Sequence, residues 1–158
     1  MATLPQLIEE DIQKLNEILK EFLSQTDATT ALIIDKGGFL ITHQGRSSEF
    51  DLTTIGALAS GAFMANQTIA GLVNEPNFSS IHQQGENFSI FCCNVDEQVL
   101  MVIIFRCHVG VVKYFVATAI KKVAAQLEAA RQRAPGEGID LSVLNVANTE
   151  DVFRKKDQ

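Results

Sequence analysis

Apolar residues first recur along the chain at helical spacing: Leu4, Leu7, Ile8, Ile12, Leu15, Ile18, Leu19, Phe22 and Leu23. That period predicts an amphipathic helix over residues 3–25, with Thr3 and Gln6 spaced as a capping box. The pattern then changes to β-branched and aliphatic residues in Thr29-Thr30-Ala31-Leu32-Ile33-Ile34, which reads as a strand. Asp35-Lys36-Gly37-Gly38 supplies the chemistry of a tight reversal, and Phe39-Leu40-Ile41-Thr42-His43 completes a hairpin. A second helix is expected from the N-cap Asp51 to Val73, ahead of Asn74-Glu75-Pro76. Three further strands follow, at 78–83, 88–94 and 99–106, joined by short turns that imply an antiparallel meander. The run Val99-Leu100-Met101-Val102-Ile103-Ile104-Phe105 has no polar alternation, so this strand should be covered on both faces. A third helix over 109–133 carries Val112, Phe115, Val116, Ala119, Val123, Leu127 and Ala130 on one stripe and ends at Ala134-Pro135-Gly136. These elements predict an α+β domain over residues 1–134, followed by a C-terminal tail over 135–158 that is flexible or docked.

The second helix breaks the ordinary pattern. From Leu52 to Val73 there are 22 consecutive residues without a charge, whereas a helix packed by one face on a sheet shows charges to water on the other. At ~100° per residue, Ile55, Leu58, Ala62, Ile69, Leu72 and Val73 fall on one arc, expected to pack on the sheet. The opposite arc carries Thr53, Ala57, Ser60, Gly61, Met64 and Thr68, mostly small residues that let another surface approach the backbone. Gly56, Gly61 and Gly71 each cost ~1 kcal/mol of helix propensity, which packing must offset. A membrane span of about 20 residues would fit the length, but the glycines and Asn66-Gln67-Thr68 argue against it. A protein interface explains the segment better, and its simplest form is a symmetric homodimer. Phe63, with Ala59 on the flank between the two arcs, is the candidate dimer contact.

Composition narrows the function class. A chain of 158 residues fits one core, which buries about 70% of the surface an unfolded chain exposes. The formal net charge of −6 argues against a nucleic-acid binder, which would need basic residues to replace phosphate counterions. Lys121, Lys122, Arg131 and Arg133 read as a solvated helix face. The amino terminus lacks the basic and apolar regions of a secretory signal, which points to the cytoplasm. The three cysteines are odd in number and two are adjacent, which suits reduced thiols.

Catalytic chemistry is not legible. Cys92, Cys93, Cys107, His43, His82 and His108 are the candidates for a nucleophile or a metal site. A hairpin about Val95 and Asp96 would set Cys92 opposite Val99 and Cys107 about 26 Å further along; Cys92 and Cys93 point to opposite faces. No catalytic residue, metal or cofactor is therefore expected. Asp35-Lys36-Gly37-Gly38 lacks the lysine and hydroxyl pair of a phosphate-binding loop. Arg46, between the second strand and the second helix, is the most accessible candidate for an arginine finger.

The order helix, hairpin, uncharged helix, three-strand meander, helix resembles the roadblock/dynein light-chain family over roughly residues 7–132. Asp35-Lys36-Gly37-Gly38 between its two strands is similar to the family's opening hairpin, Ile55-Gly56-Ala57-Leu58-Ala59-Ser60-Gly61 to its small-residue helix, and Val99 to Phe105 to its central strand. The resemblance is nearest to MglB-like members, bacterial regulators of a Ras-like polarity GTPase. It implies a three-layer α/β/α sandwich with sheet order 2-1-5-4-3, the first and third helices on one face and the second on the other. It implies a homodimer whose paired second helices hold a Ras-like small GTPase and stimulate its hydrolysis of GTP; other members are passive scaffolds. The GTPase-facing positions correspond to Ala57, Ser60, Gly61, Met64 and Thr68. Met64 and Thr68 are bulkier than the residues of the MglB pattern.

Overall fold

The first helix starts where Asp11 turns back on the chain. Its carboxylate accepts the Ile8 N–H at 2.9 Å, and α1 runs Glu9–Thr26. The computed structural model describes residues 4–133. The start expected at residue 3 is therefore corrected to Glu9: the closing carboxylate belongs to Asp11, not to Gln6, and Thr3 lies outside the described residues. Asp27 adopts a left-handed conformation, φ 57°, and ends the helix.

The remaining elements are β1 (Thr30–Asp35), β2 (Leu40–Gly45), α2 (Leu52–Leu72), β3 (Ser80–Gln84), β4 (Ser89–Asn94), β5 (Val99–Phe105) and α3 (Val109–Arg131). The strands form one antiparallel sheet in the order β2-β1-β5-β4-β3. The central strand β5 is buried at every position, as its uninterrupted apolar run requires. Because successive side chains alternate between faces, Val99, Met101, Ile103 and Phe105 join Leu15, Leu19 and Phe22 of α1 and Val112, Val116, Val123 and Leu127 of α3. Leu100, Val102 and Ile104 join Leu32, Ile34, Leu52 and Phe63 on the α2 side. The result is the three-layer α/β/α sandwich, with α1 and α3 on one face and α2 on the other.

Two turns place α2. The β1–β2 turn is closed by the Gly38 N–H on the Asp35 carbonyl at 3.0 Å and the Asp35 N–H on the Phe39 carbonyl at 3.0 Å; the Asp35 carboxylate accepts the Phe39 N–H at 2.9 Å. Gly38 has φ +95°, and a Cβ there would stand 3.1 Å from Cα of Ala57, so the turn lies directly against α2. The β4–β5 turn closes with the Val95 N–H on the Val99 carbonyl at 2.9 Å. Cys92 accordingly pairs with Val102, not with Val99. The turn takes up three residues between Val95 and Val99, and the sequence expectation made it too short. Cys107 is then about 17 Å along the strand from that pair, still too far to share an ion with Cys92.

Candidate functional site

Asp51 caps α2, its carboxylate accepting the Thr54 N–H at 3.1 Å. The helix turns Leu52, Gly56, Ser60, Phe63 and Ala70 fully inward, with Ile55 and Ala59 half-buried against the same core. This face differs from the expected one by roughly a third of a turn at ~100° per residue. Leu58, Ile69, Leu72 and Val73, expected on the sheet, are exposed. The reason is steric. Leu32, Ile34, Leu100, Val102 and Ile104 fill much of the layer under the helix, so Gly56 and Ser60 meet them between the larger Leu52 and Phe63. A Cβ on Gly56 would lie 3.2 Å from Cγ2 of Ile34.

The predicted site residues separate accordingly. Ala57, Gly61, Met64 and Thr68 are exposed along one flank of α2, beginning at the β1–β2 turn. Ser60 is not among them. It is 4% exposed, and its hydroxyl donates to the Lys36 carbonyl at 2.6 Å, tying α2 to the turn. Phe63 is 1% exposed and packs in the core with Leu100 and Val102; it faces the sheet, not a second copy. Ala59 packs against the same core, so the expected dimer contact at Ala59 and Phe63 is corrected.

Most of the arc expected on the sheet forms a second outer flank, exposed except for the half-buried Ala62. Leu58, Ala62, Ala65, Ile69 and Leu72 recur at spacings of four and three, the period of a coiled-coil seam. Leu58 is 69% and Leu72 79% exposed. The rest of the α2 side is incompletely covered. Phe50, Ile55, Phe88, Ile90 and Ile104, with the β3–β4 hairpin, line an open apolar cavity of about 320 Å³ beside the helix, and Ile81 of β3 is only half-buried. One helix does not span five strands, whereas the opposite face has two. The flank's heptad-like spacing was the signal for a helix partner instead of a sheet.

Glycines distinguish the flanks further. A Cβ on Gly61 or Gly71 would meet nothing within 4 Å, so neither glycine is required by packing inside the chain. Gly56 is so required.

The candidate chemical groups stay apart. Cys92 and Cys93 are buried; burial pushes the Cys92 thiol up to about 12 and the Cys93 thiol up as well, leaving both as packed, protonated thiols. His82 stacks on Phe105 at 5.8 Å, and His108 accepts the Gly110 N–H at 3.0 Å as the cap of α3. His43 is half-buried on β2. Among the described residues no three His, Cys, Asp or Glu side chains group as metal ligands. Arg46 is exposed beyond β2, its N–H held by the Thr29 carbonyl at 3.0 Å. Among the described residues no helix is long and apolar enough to cross a membrane.

The sequence pattern of the Roadblock/LC7 domain matches residues 14–105, more than half of the chain. The chain belongs to the Roadblock/LC7 domain family. Solved structures with this fold include an MglB with a tetrameric arrangement, at 27% identity and TM-score 0.76, covering 82% of this chain and 99% of that one. The gliding protein MglB from Thermus thermophilus is 28% identical with TM-score 0.75, over 82% and 99% of the two chains. Myxococcus xanthus MglB is 25% identical with TM-score 0.74, over 81% and 98%. Comparison with curated protein sequences gives no match. The alignments span nearly the whole of each solved MglB chain.

Proposed function

We propose that this roadblock protein is a homodimeric regulator that binds a Ras-like small GTPase across α2 and stimulates its hydrolysis of GTP, in cell polarity or motility. The observation that carries the reading is the outer face of α2, uncharged over its whole length and divided into an apolar seam and a small-residue flank. Such a face in a chain of net charge −6 has little reason to be left in water. The likeness to MglB structures supports the regulator, and the family resemblance supplies the GTPase.

The seam suits a second copy. Ala65 is its midpoint, with Leu58 and Leu72 seven residues to either side. Two antiparallel copies crossing at Ala65 would place each Leu58 against Leu72 of the other, the self-complementary contact a two-fold axis demands. The small alanines at the crossing permit close approach. The other flank, Ala57, Gly61, Met64 and Thr68, lies about a quarter turn round the helix from the seam at ~100° per residue and is left for the GTPase. Stimulation by contact needs no catalytic group from this chain: a surface that binds the hydrolysis-competent arrangement of the GTPase better by about 1.4 kcal/mol raises that arrangement's population relative to the rest tenfold.

Met64→Arg tests the flank. The substitution adds charge and length to a side chain that is 47% exposed, so the folded dimer should persist while the GTPase is lost. Unchanged GTPase affinity in that variant would remove this flank as the docking surface. Binding with no change in hydrolysis by the unsubstituted protein would make the dimer a scaffold.

A further inference from the structure

We infer that Asp11 and Arg133 form a latch that holds the end of α3 on the first turn of α1 and fixes where residues 134–158 leave the domain. Asp11 is fully buried, a costly place for a carboxylate unless every lone pair is engaged. Arg133 meets it with both terminal nitrogens, at 2.7 and 2.8 Å. Gln126 Nε2 donates at 2.8 Å and the Ile8 N–H at 2.9 Å. These donors come from the start of α1, the body of α3 and the residues just past it.

Arg133 stands beyond the last residue of α3, Arg131. Its backbone contact is a 3.3 Å turn to the Ala130 carbonyl, whereas its side chain is clamped by two charge-assisted bonds. The side chain therefore positions this part of the chain more firmly than the backbone does. A second tether lies two residues back, where Arg131 Nη2 meets the Asp96 carboxylate at 2.8 Å. Asp96 belongs to the β4–β5 turn, and that turn accepts the Lys36 N–H on the Gln98 carbonyl at 2.9 Å. The end of α3 is thus tied to the rim that carries the β1–β2 turn, against which Ser60 of α2 rests. Opening the latch would carry a fully buried carboxylate into water.

Trypsin tests the latch on the full chain. Cleavage at Arg133–Ala134 requires the arginine side chain in the protease pocket, so Asp11 must first release it. Cleavage then follows the open population. Asp11→Asn should speed cleavage at this bond at least tenfold and raise hydrogen exchange at 128–133, while β5 amides keep their protection. Arg133→Lys retains a protease site but cannot bridge both oxygens; it should give intermediate cleavage and exchange, and it answers for the proposal if Asp11→Asn fails to fold. Unchanged cleavage in either folded variant would overturn the latch. So would an equal rise of exchange in β5, which would make the pair a general stabiliser of the fold.

Discussion

Gly61→Ala separates the demands of the fold from those of a partner. The added methyl meets no atom of the chain within 4 Å, and the position lies well inside α2. Replacing glycine by alanine in a helix interior gains ~1 kcal/mol, and with no crowding to offset it the fold should keep most of that gain. For a domain of this size that is an upward shift in Tm of about 2–4 °C. Gly56→Ala is the internal control: its methyl would press on Ile34 at 3.2 Å and approach the Gly38 carbonyl at 3.7 Å, so the propensity gain should be cancelled or reversed. Calorimetric or circular-dichroism melts of the two variants read this difference. GTPase affinity should move the other way for Gly61→Ala, weakening because the methyl holds the partner off the helix backbone. A Gly61→Ala protein that melts lower than the parent would refute the placement of this residue on the outer face. One that melts higher and binds the GTPase unchanged would refute its place in the docking surface.

Phe63→Ala should destabilise the fold by about 3–5 kcal/mol in denaturant titration, as a large core side chain does, because Phe63 is 1% exposed. Leu58→Glu with Leu72→Glu should convert the dimer to monomer in analytical ultracentrifugation while leaving the monomer folded, since both side chains are exposed before association. Ala65→Cys should crosslink two copies on mild oxidation, and failure to do so would move the axis off Ala65. Arg133 holds the Asp11 carboxyl below its ordinary value of 3.8, so the stability it contributes is present above about pH 4 and is lost as pH falls through the lower folded value. In Asp11→Asn, exchange at residues 128–133 should exceed the parent's at pH 7, a difference that closes in acid as the parent's carboxyl protonates.

Much of the fold was legible because local chemistry and burial agree. The uniform run Val99–Phe105 could only be a strand covered on both sides, and it is. Asp35 to Gly38 encodes its own turn, with Gly38 at φ +95°. The orientation of α2 was not legible, because its amphipathy is weak: both its inner and outer faces are apolar. Ranking residues by size put Leu58, Ile69 and Leu72 on the sheet, whereas the buried face sets Gly56, Ala59 and Ser60 between the larger Leu52 and Phe63. Ser60 and Phe63 were misplaced for the same reason. Long-range pairing was equally hidden: nothing in the spacing connects Asp11 to Arg133, 122 residues away. The exposure of Ala57, Gly61, Met64 and Thr68 was recovered because a helical wheel still places them opposite or beside whatever face is buried.

In the proposed function α2 acts on a GTPase by contact. Single-turnover GTP hydrolysis by the cognate Ras-like GTPase, measured with the unsubstituted protein and with Met64→Arg, tests it most directly. The rate should rise with the unsubstituted protein and stay at the intrinsic value with Met64→Arg, both remaining folded dimers. A rate unmoved by the unsubstituted protein at saturating concentration, or raised equally by Met64→Arg, would contradict it.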